Sequence, residues 1–156
     1  MNLINEKFTY LIRMNIRRCS PRDIEHVLEI EHESFSSPYS REIFEDYLSS
    51  DLFLVVEKDE EVIGYILADK REDQGVIISI AVQPNSRNEG IGTSLMETAQ
   101  EKMKDVERYF LIVRTSNIGA QLFYEKLGYS KVAKIDDYYS DGEDGFLMQK
   151  SNEKKK

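Results

Sequence analysis

The sequence predicts a single α/β domain, and three observations lead to this interpretation. Seven short runs rich in β-branched and aromatic residues, bounded by turn residues, are typical of strands. Four other segments carry apolar residues at helical spacing. The two kinds of segment alternate along 156 residues without a repeat or a linker, and a chain of this length suits one hydrophobic core rather than two.

Two pairs of the predicted strands are joined by acidic segments. The earlier pair is connected by Lys58-Asp59-Glu60-Glu61, and the last pair flanks the segment from Asp136 to Asp144. The seven strands are predicted near residues 15–19, 52–57, 62–69, 77–82, 109–113, 129–134 and 145–150.

Three of the four predicted helices begin after a residue that caps helix N-termini well. Ser20 precedes a proline at the first helical position, Ser40 precedes the second helix, and Asn117 precedes the fourth. Gly128 follows that fourth helix, where glycine is a common C-cap. The third helix is predicted from about Thr93, with apolar positions at Leu95, Met96, Ala99 and Met103.

The junction before the third helix has the composition of an anion-binding turn. A buried strand stops at Pro84, and the pair Gly90 and Gly92 then opens the helix. Two glycines there let backbone N–H groups point outward, and the helix dipole adds partial positive charge. Arg87 supplies a full positive charge beside them. The alternative is an ordinary strand–turn–helix junction.

Two commoner glycine motifs are excluded by the residues present. A Walker loop needs a lysine after its second glycine, where this chain has Thr93. A dinucleotide fingerprint needs a third glycine, where it has Leu95. What remains is Arg-x-x-Gly-x-Gly after a strand that ends in a proline turn.

A second motif follows the predicted strand at 109–113. The segment from Asn117 to Tyr129 has the form N-x-x-A-x-x-x-Y-x-x-x-G-aromatic. Together the two motifs resemble the signatures of the GCN5-related N-acetyltransferase (GNAT) superfamily. The resemblance extends over nearly residues 14–150 to its Ard1/RimI branch, the protein N-terminal α-acetyltransferases.

This resemblance implies a fold and a set of boundaries. The sheet would be central, mixed, mostly antiparallel and twisted, with about seven strands and helices on both faces. Residues 14–150 would form one N-acetyltransferase domain after an extension at residues 1–13. Residues 151–156, which include three consecutive lysines, would be a solvated, disordered tail.

The resemblance also implies acetyl-coenzyme A as co-substrate. The strand before the glycine turn and Asn117 would line the pantetheine arm, the turn would hold the pyrophosphate, and Lys126 would reach the phosphates or only solvate its helix. Tyr124 lies at the position where the family has its general acid, and a phenol suits that role because its pKa, near 10, lies above that of a thiol. The alternative is an aromatic residue packed on an amphipathic helix. The implied cofactor-binding residues are Ile80, Ala81, Val82, Arg87, Asn88, Glu89, Gly90, Ile91, Gly92, Thr93, Asn117, Tyr124 and Lys126.

The chain departs from the family pattern at the position of the general base. Relatives often carry Glu or His two residues before the Arg114 position, where this chain has Ile112. Either a water accepts the proton, or Glu31 or Glu33 of the first helix does, and we name Glu33 as the candidate. An α-amine of pKa about 8 is partly neutral at pH 7 whereas a lysine amine is not, so a missing base disfavours internal lysines.

Tandem tyrosines in the last acidic segment carry the substrate assignment. In the Ard1/RimI branch such a pair binds the first residues of the substrate through backbone hydrogen bonds, and the matching positions are Tyr138 and Tyr139. Phe35, Pro38 and Tyr39 resemble the other wall of that site. The alternatives are ordinary aromatic enrichment at a strand end and turn chemistry in the segment that follows.

Composition argues against several other functions. A net charge of −8 disfavours general nucleic-acid binding, and no apolar run approaches the roughly 18 residues of a membrane helix. His26 and His32 lack a second pair of ligands at metal spacing, so no metal is expected. A lone Cys19 and the lack of an apolar leader predict a reducing, cytoplasmic setting.

Three functions remain open on the sequence. The first is acetylation of protein N-termini by direct attack in a ternary complex, with peptide N-termini as partners and an auxiliary subunit or the ribosome as further candidates. The second is a GNAT that acts on small amines or internal lysines. The third is a catalytically weak protein that binds coenzyme A for regulation.

Overall fold

The computed structural model describes residues 14–155, so the predicted extension at residues 1–13 lies outside the described residues. All seven predicted strands are present. They are β1 (Met14–Arg18), β2 (Phe53–Lys58), β3 (Glu61–Arg71), β4 (Gln74–Val82), β5 (Arg108–Arg114), β6 (Ser130–Ile135) and β7 (Gly145–Ser151). They form one seven-stranded sheet in the order β1-β2-β3-β4-β5-β7-β6.

The sheet is mixed and mostly antiparallel, which confirms the predicted fold class. β1 with β2, β2 with β3, β5 with β7 and β6 with β7 pair antiparallel. β4 and β5 run parallel, with a register from Gln74↔Arg108 to Val76↔Phe110 at the start of both strands. Asp59 and Glu60 turn β2 into β3 at positive φ, 51° and 66°, the geometry of a two-residue type I′ hairpin.

The described residues contain four α-helices besides the sheet. They are α1 (Ile24–Ser34), α2 (Arg41–Asp46), α3 (Ile91–Lys102) and α4 (Ile118–Lys126). The third begins at Ile91, two residues before the predicted start, because Gly90 takes the left-handed conformation at φ 80° and ends the turn there. Within residues 14–155, no helix has the length and apolar character needed to cross a membrane.

The chain divides into two compact units, and the first contains residues 14–67 and 80–96 of the described part. Its core is aromatic at the centre: the ring of Phe44 lies 5.7 Å from that of Phe53 and 5.6 Å from that of Tyr65, centroid to centroid. All three side chains are fully buried. The periodic apolar residues of α1 and the near-continuous apolar run of β2 and β3 supply the rest of this core.

An ion network connects β1, β2 and the turn before α1 in this unit. The Arg17 guanidinium donates to both carboxylate oxygens of Asp23, at 2.7 and 3.0 Å, and its Nε donates to Glu57 at 2.7 Å. Asp23 also accepts from the backbone N–H of Ser20 at 2.8 Å, which completes a capping box.

The second unit contains residues 68–79 and 97–155. Gly75 of β4 allows a close approach here, because a Cβ on it would lie 2.9 Å from the Tyr109 ring and 3.0 Å from the Met103 sulfur. The phenols of Tyr109 and Tyr129 donate to the carbonyl and the side-chain oxygen of Gln100, at 3.0 and 2.7 Å. These bonds satisfy polar groups that the core of this unit buries.

The C-terminal residues differ from the predicted disordered tail. β7 continues to Ser151, the buried Asn152 amide donates to the carbonyls of Lys104 at 2.9 Å and Val106 at 2.8 Å, and Glu153–Lys155 forms a 3-10 turn. Lysine-rich composition predicted a tail here, but one buried amide satisfies two loop carbonyls and orders the segment.

Candidate active site

The glycine turn, residues 87–92 of the first unit, has the backbone of an anion site. Asn88 and Gly90 both have positive φ, 66° and 80°, a conformation that exposes backbone N–H groups. A Cβ at Gly90 would meet no atom within 4 Å, so the space beside the turn is open. α3 begins at Ile91, directly after this turn, and the N-terminus of a helix favours an anion through its dipole.

Arg87 lies at the edge of this turn, beside the end of β4. Its Nε donates to the carbonyl of Val82 at 2.9 Å, and one terminal nitrogen donates to the Ser34 hydroxyl at 3.3 Å. The structure thus brings together Arg87 and Val82, two of the predicted cofactor-binding residues. Ala81 is buried between the half-buried Ile80 and Val82, Ile91 is buried, Gly92 and Thr93 lie in the first turn of α3, and Glu89 is exposed.

The loop of residues 35–40 is held by a buried carboxylate. Glu31 is 1% exposed, and its side chain accepts hydrogen bonds from the Tyr65 phenol and from the backbone N–H of Tyr39, the latter at 3.1 Å. Phe35 and Pro38 are half-buried, and Tyr39 is exposed with its ring edge-on to Phe44 at 6.5 Å. The three residues predicted to contact substrate therefore lie on a loop that Glu31 orders.

The two acidic candidates for the base have opposite environments. Glu33 is exposed on α1, whereas Glu31 is engaged with Tyr65 and Tyr39 inside the unit. A carboxylate whose oxygens already accept bonds from fixed donors serves to position them. The contacts of Glu31 are therefore those of a positioning residue. Glu33 is exposed, so its carboxylate is accessible to solvent, as a candidate base must be.

Tyr124, the predicted acid, lies on α4 in the second unit. Its ring packs against those of Phe123 at 5.2 Å and Tyr129 at 6.1 Å. Burial raises the pKa of the Tyr124 phenol above its ordinary value, and the nearby Tyr139 raises it further. The phenol is therefore protonated at neutral pH and able to donate.

The N-terminus of α4 has the cap that the sequence predicted. The side-chain oxygen of Asn117 accepts the backbone N–H of Ala120 at 3.1 Å. The buried residue of this helix is Gln121, whose amide donates to the carbonyls of Arg114 at 2.9 Å and Thr115 at 3.0 Å. Lys126 is exposed in the last turn.

The tandem tyrosines lie on the loop of residues 136–144. Their rings meet edge to face at 4.9 Å, with Tyr138 44% exposed and Tyr139 half-buried. The Arg114 guanidinium lies 4.0 Å from the centroid of the Tyr139 ring, a cation–π contact. The position where the resemblance implied a base holds the apolar Ile112. Its Cγ2 is 2.7 Å from the point where a Cβ on Gly145 would lie.

Sequence reasoning missed the carboxylates that hold this loop. One nitrogen of Arg114 donates to Asp141 at 2.9 Å and to Glu143 at 2.7 Å. The available signal was an arginine at the end of the predicted strand 109–113 together with the later acidic segment 136–144, for which the sequence analysis considered only turn chemistry.

These features belong to a known class of enzyme. The chain is a member of the acetyltransferase (GNAT) family, whose model matches residues 23–129. The predicted family is confirmed, and its relatives are of the Ard1/RimI type.

Two relatives and one solved structure illustrate the likeness. The chain is 39% identical to an uncharacterized N-acetyltransferase of Methanocaldococcus jannaschii, over 88% of this chain and 91% of the relative. It is 33% identical to an N-alpha-acetyltransferase of Sulfurisphaera tokodaii, over 85% of this chain and 90% of the relative. The crystal structure of Ard1 from Thermoplasma volcanium matches with a TM-score of 0.85 at 29% identity, over 89% of this chain and 97% of that one.

Proposed function

We propose that this acetyltransferase moves the acetyl group of acetyl-coenzyme A to the N-terminal α-amine of proteins. The observation that carries the proposal is the grouping of a protonated phenol, Tyr124, with the tandem tyrosines of the 136–144 loop. A proton donor and two adjacent aromatic side chains suited to a peptide, Tyr138 exposed and Tyr139 half-buried, thus occur in one unit. The N-alpha-acetyltransferase named among the relatives supports the same substrate class.

The glycine turn is the proposed site of the coenzyme's diphosphate. Its open space, outward N–H groups and helix N-terminus suit an anion of that size. Arg87 adds charge, with Asn88, Glu89 and Thr93 as flanking contacts. Ile80, Ala81, Val82 and Asn117 are proposed to line the pantetheine arm, and Lys126 to reach the phosphates.

In the proposed reaction, the lone pair of a neutral α-amine attacks the thioester carbonyl. The C–N bond forms, the C–S bond breaks, and the departing thiolate takes the proton of Tyr124. The nitrogen loses its extra proton to water or to Glu33, the candidate base, and Tyr124 regains a proton from solvent. Direct transfer of this kind leaves no acyl group on the enzyme.

The environment at Ile112 favours an α-amine as the acceptor. With an apolar side chain at that position, the reaction depends on amine that is already neutral. At pH 7 about a tenth of an α-amine of pKa about 8 is neutral, compared with well under a hundredth of a lysine amine. An auxiliary subunit or the ribosome is the further partner that the resemblance implies.

The test is acetyl transfer to a library of synthetic peptides, followed by mass spectrometry. Each peptide is supplied with a free and with a chemically blocked N-terminus, and carries one internal lysine; polyamines form a separate panel. We expect mass gain at free N-termini only. Gain on blocked peptides or polyamines would replace this function with the small-amine or lysine alternative, and coenzyme A binding without any transfer would support a regulatory protein.

A further inference from the structure

We propose that Glu143 is a positioning residue, which binds the loop of the tandem tyrosines to the turn that starts α4 and so sets Tyr139 relative to Tyr124. This inference rests on the proposed function, because it concerns the same peptide site. All of the contacts involved lie within the second unit.

The Glu143 carboxylate connects two segments that are distant in sequence. One oxygen accepts from Arg114 at 2.7 Å, and the other accepts from the backbone N–H of Ser116 at 2.9 Å and lies 3.5 Å from the Thr115 hydroxyl. The acceptor is thus on the 136–144 loop, and the donors are the last residue of β5, Arg114, and the two residues that follow it, Thr115 and Ser116. One side chain spans the whole junction.

The same residue also shapes the loop that carries it. The Glu143 carbonyl accepts the backbone N–H of Tyr139 at 3.0 Å, and its own N–H donates to Asp141 at 3.1 Å. Asp141 in turn accepts from Arg114, whose guanidinium lies against the Tyr139 ring. Tyr139 is therefore fixed through its backbone by Glu143 and through its ring by the arginine that Glu143 holds.

The residues that donate to Glu143 are also joined to α4, the helix that carries the proposed acid Tyr124. Gln121 donates to the carbonyls of Arg114 and Thr115, which joins these residues to the first turn of α4. Tyr124 lies three residues further on the same helix. A shift of the turn relative to the loop would therefore change the separation of the substrate-binding and proton-donating tyrosines, and misplacement by about 1 Å costs roughly a hundredfold in rate.

The charge of Glu143 is constant over the working pH range. Hydrogen bonds from Ser116 and from Arg114 lower the pKa of the Glu143 carboxyl to about 2. Replacement by glutamine keeps the length of the side chain, but an amide has one acceptor oxygen and turns its NH2 group toward one of the two donors. Glutamine can satisfy Arg114 or Ser116, and not both.

The experiment compares Glu143→Gln with Asp136→Asn. Asp136 lies on the same loop, is 79% exposed in its side chain, and its carboxylate is 3.9 Å from the Lys134 ammonium. Both changes remove one negative charge from the loop. A difference between the two variants therefore reports the hydrogen bonds made by Glu143 and not the change in charge. Glu143→Asp is the third variant, because it keeps the charge and shortens the reach by one methylene.

Three measurements give independent readouts: steady-state kinetics with a peptide that the wild type acetylates, calorimetry with coenzyme A, and amide hydrogen exchange. For Glu143→Gln we expect KM for peptide to rise roughly tenfold and kcat to fall, with the Kd for coenzyme A unchanged. The amides of Tyr139 and Gly142 should exchange faster. Glu143→Asp should fall between the wild type and glutamine, and Asp136→Asn should match the wild type.

Two results would overturn the inference, and they are distinguishable from failure of the proposed function. Equal kinetics and equal exchange in the Glu143→Gln and Asp136→Asn variants would show that the carboxylate positions nothing. A fall in apparent kcat with the KM of both substrates unchanged and a lower melting temperature would show a general loss of folded protein. Failure of the wild type to acetylate any peptide, with its exchange pattern intact, would remove the proposed function and this inference with it.

Discussion

The carboxylate of Glu31 and the phenol of Tyr65 form a buried hydrogen bond that joins α1 to β3. The second acceptor interaction of Glu31, with the backbone N–H of Tyr39, extends this connection to the 35–40 loop. Two ordered donors therefore compensate for burying an acidic side chain in the aromatic core of the first unit.

Removing the Tyr65 hydroxyl should destabilise the fold and loosen that loop. Tyr65→Phe leaves a buried carboxylate one donor short, which costs about 1–3 kcal/mol in the free energy of unfolding. Urea denaturation measures the stability, and the KM for peptide measures the loop. Glu29→Gln, an exposed change on the same helix, is the control and should alter neither quantity; a Tyr65→Phe variant as stable as the control would contradict the assignment.

Removing the Tyr124 hydroxyl should slow chemistry without weakening coenzyme binding. Loss of a general acid lowers kcat by roughly a hundredfold, and the Kd for coenzyme A by calorimetry should stay the same. The matched control is Tyr129→Phe, whose phenol donates to Gln100 at 2.7 Å. That variant should lower the melting temperature and retain kcat. Unchanged turnover in Tyr124→Phe would exclude the phenol as the acid.

Two glycine-to-alanine changes should have opposite effects. Gly90→Ala meets no clash but forces alanine to a φ of 80°, at a cost of about 1–2 kcal/mol in stability, and the displaced turn should bind coenzyme A more weakly. Gly119→Ala is in α4, also meets no atom within 4 Å, and should stabilise by about 0.5–1 kcal/mol. Thermal unfolding and calorimetry measure both effects. Coenzyme A affinity unaffected by Gly90→Ala would argue against the turn as the diphosphate site.

The decrease in the free energy of unfolding at acidic pH should depend on Asp23. Burial alone would raise the pKa of this carboxyl, but hydrogen bonds from Arg17 and Ser20 lower it to about 2. Because the folded pKa lies below the unfolded value, the stabilisation is complete above pH ~4 and is lost as the pH falls toward 2.

The expected loss over that pH range is about 2 kcal/mol, measured by urea denaturation at a series of pH values. Asp23→Asn should be less stable at pH 7 and flatter between pH 4 and 2. Asp51→Asn, whose carboxylate makes an exposed pair with Arg18, should follow the wild-type curve. A wild-type curve parallel to that of Asp23→Asn would refute the linkage.

The elements of the fold were predictable because their signals are local. Alternation and apolar spacing identify all seven strands and four helices, and proline, glycine and cap residues set most boundaries within a few positions. The glycine turn was equally visible, since a positive φ at Gly90 is a property of that residue and its immediate neighbours.

Side-chain partnerships were not predictable, because they join residues far apart in the chain. Glu31 and Glu33 differ by two positions in one helix, and only the packing of β3 against α1 decides which is buried. Asn152 lies in a segment whose composition predicted disorder, yet its amide meets two carbonyls of a loop nearly fifty residues earlier.

By itself, the amino-acid sequence determined the family, the order of the elements and the two motifs, because each depends on residues within one turn or one strand. The tertiary structure alone decided that Glu143 meets Arg114 and Ser116, and that Glu31 meets Tyr65. Hydrogen bonds between segments that are distant in sequence form only where the tertiary fold brings those segments together. No local sequence pattern therefore predicts them.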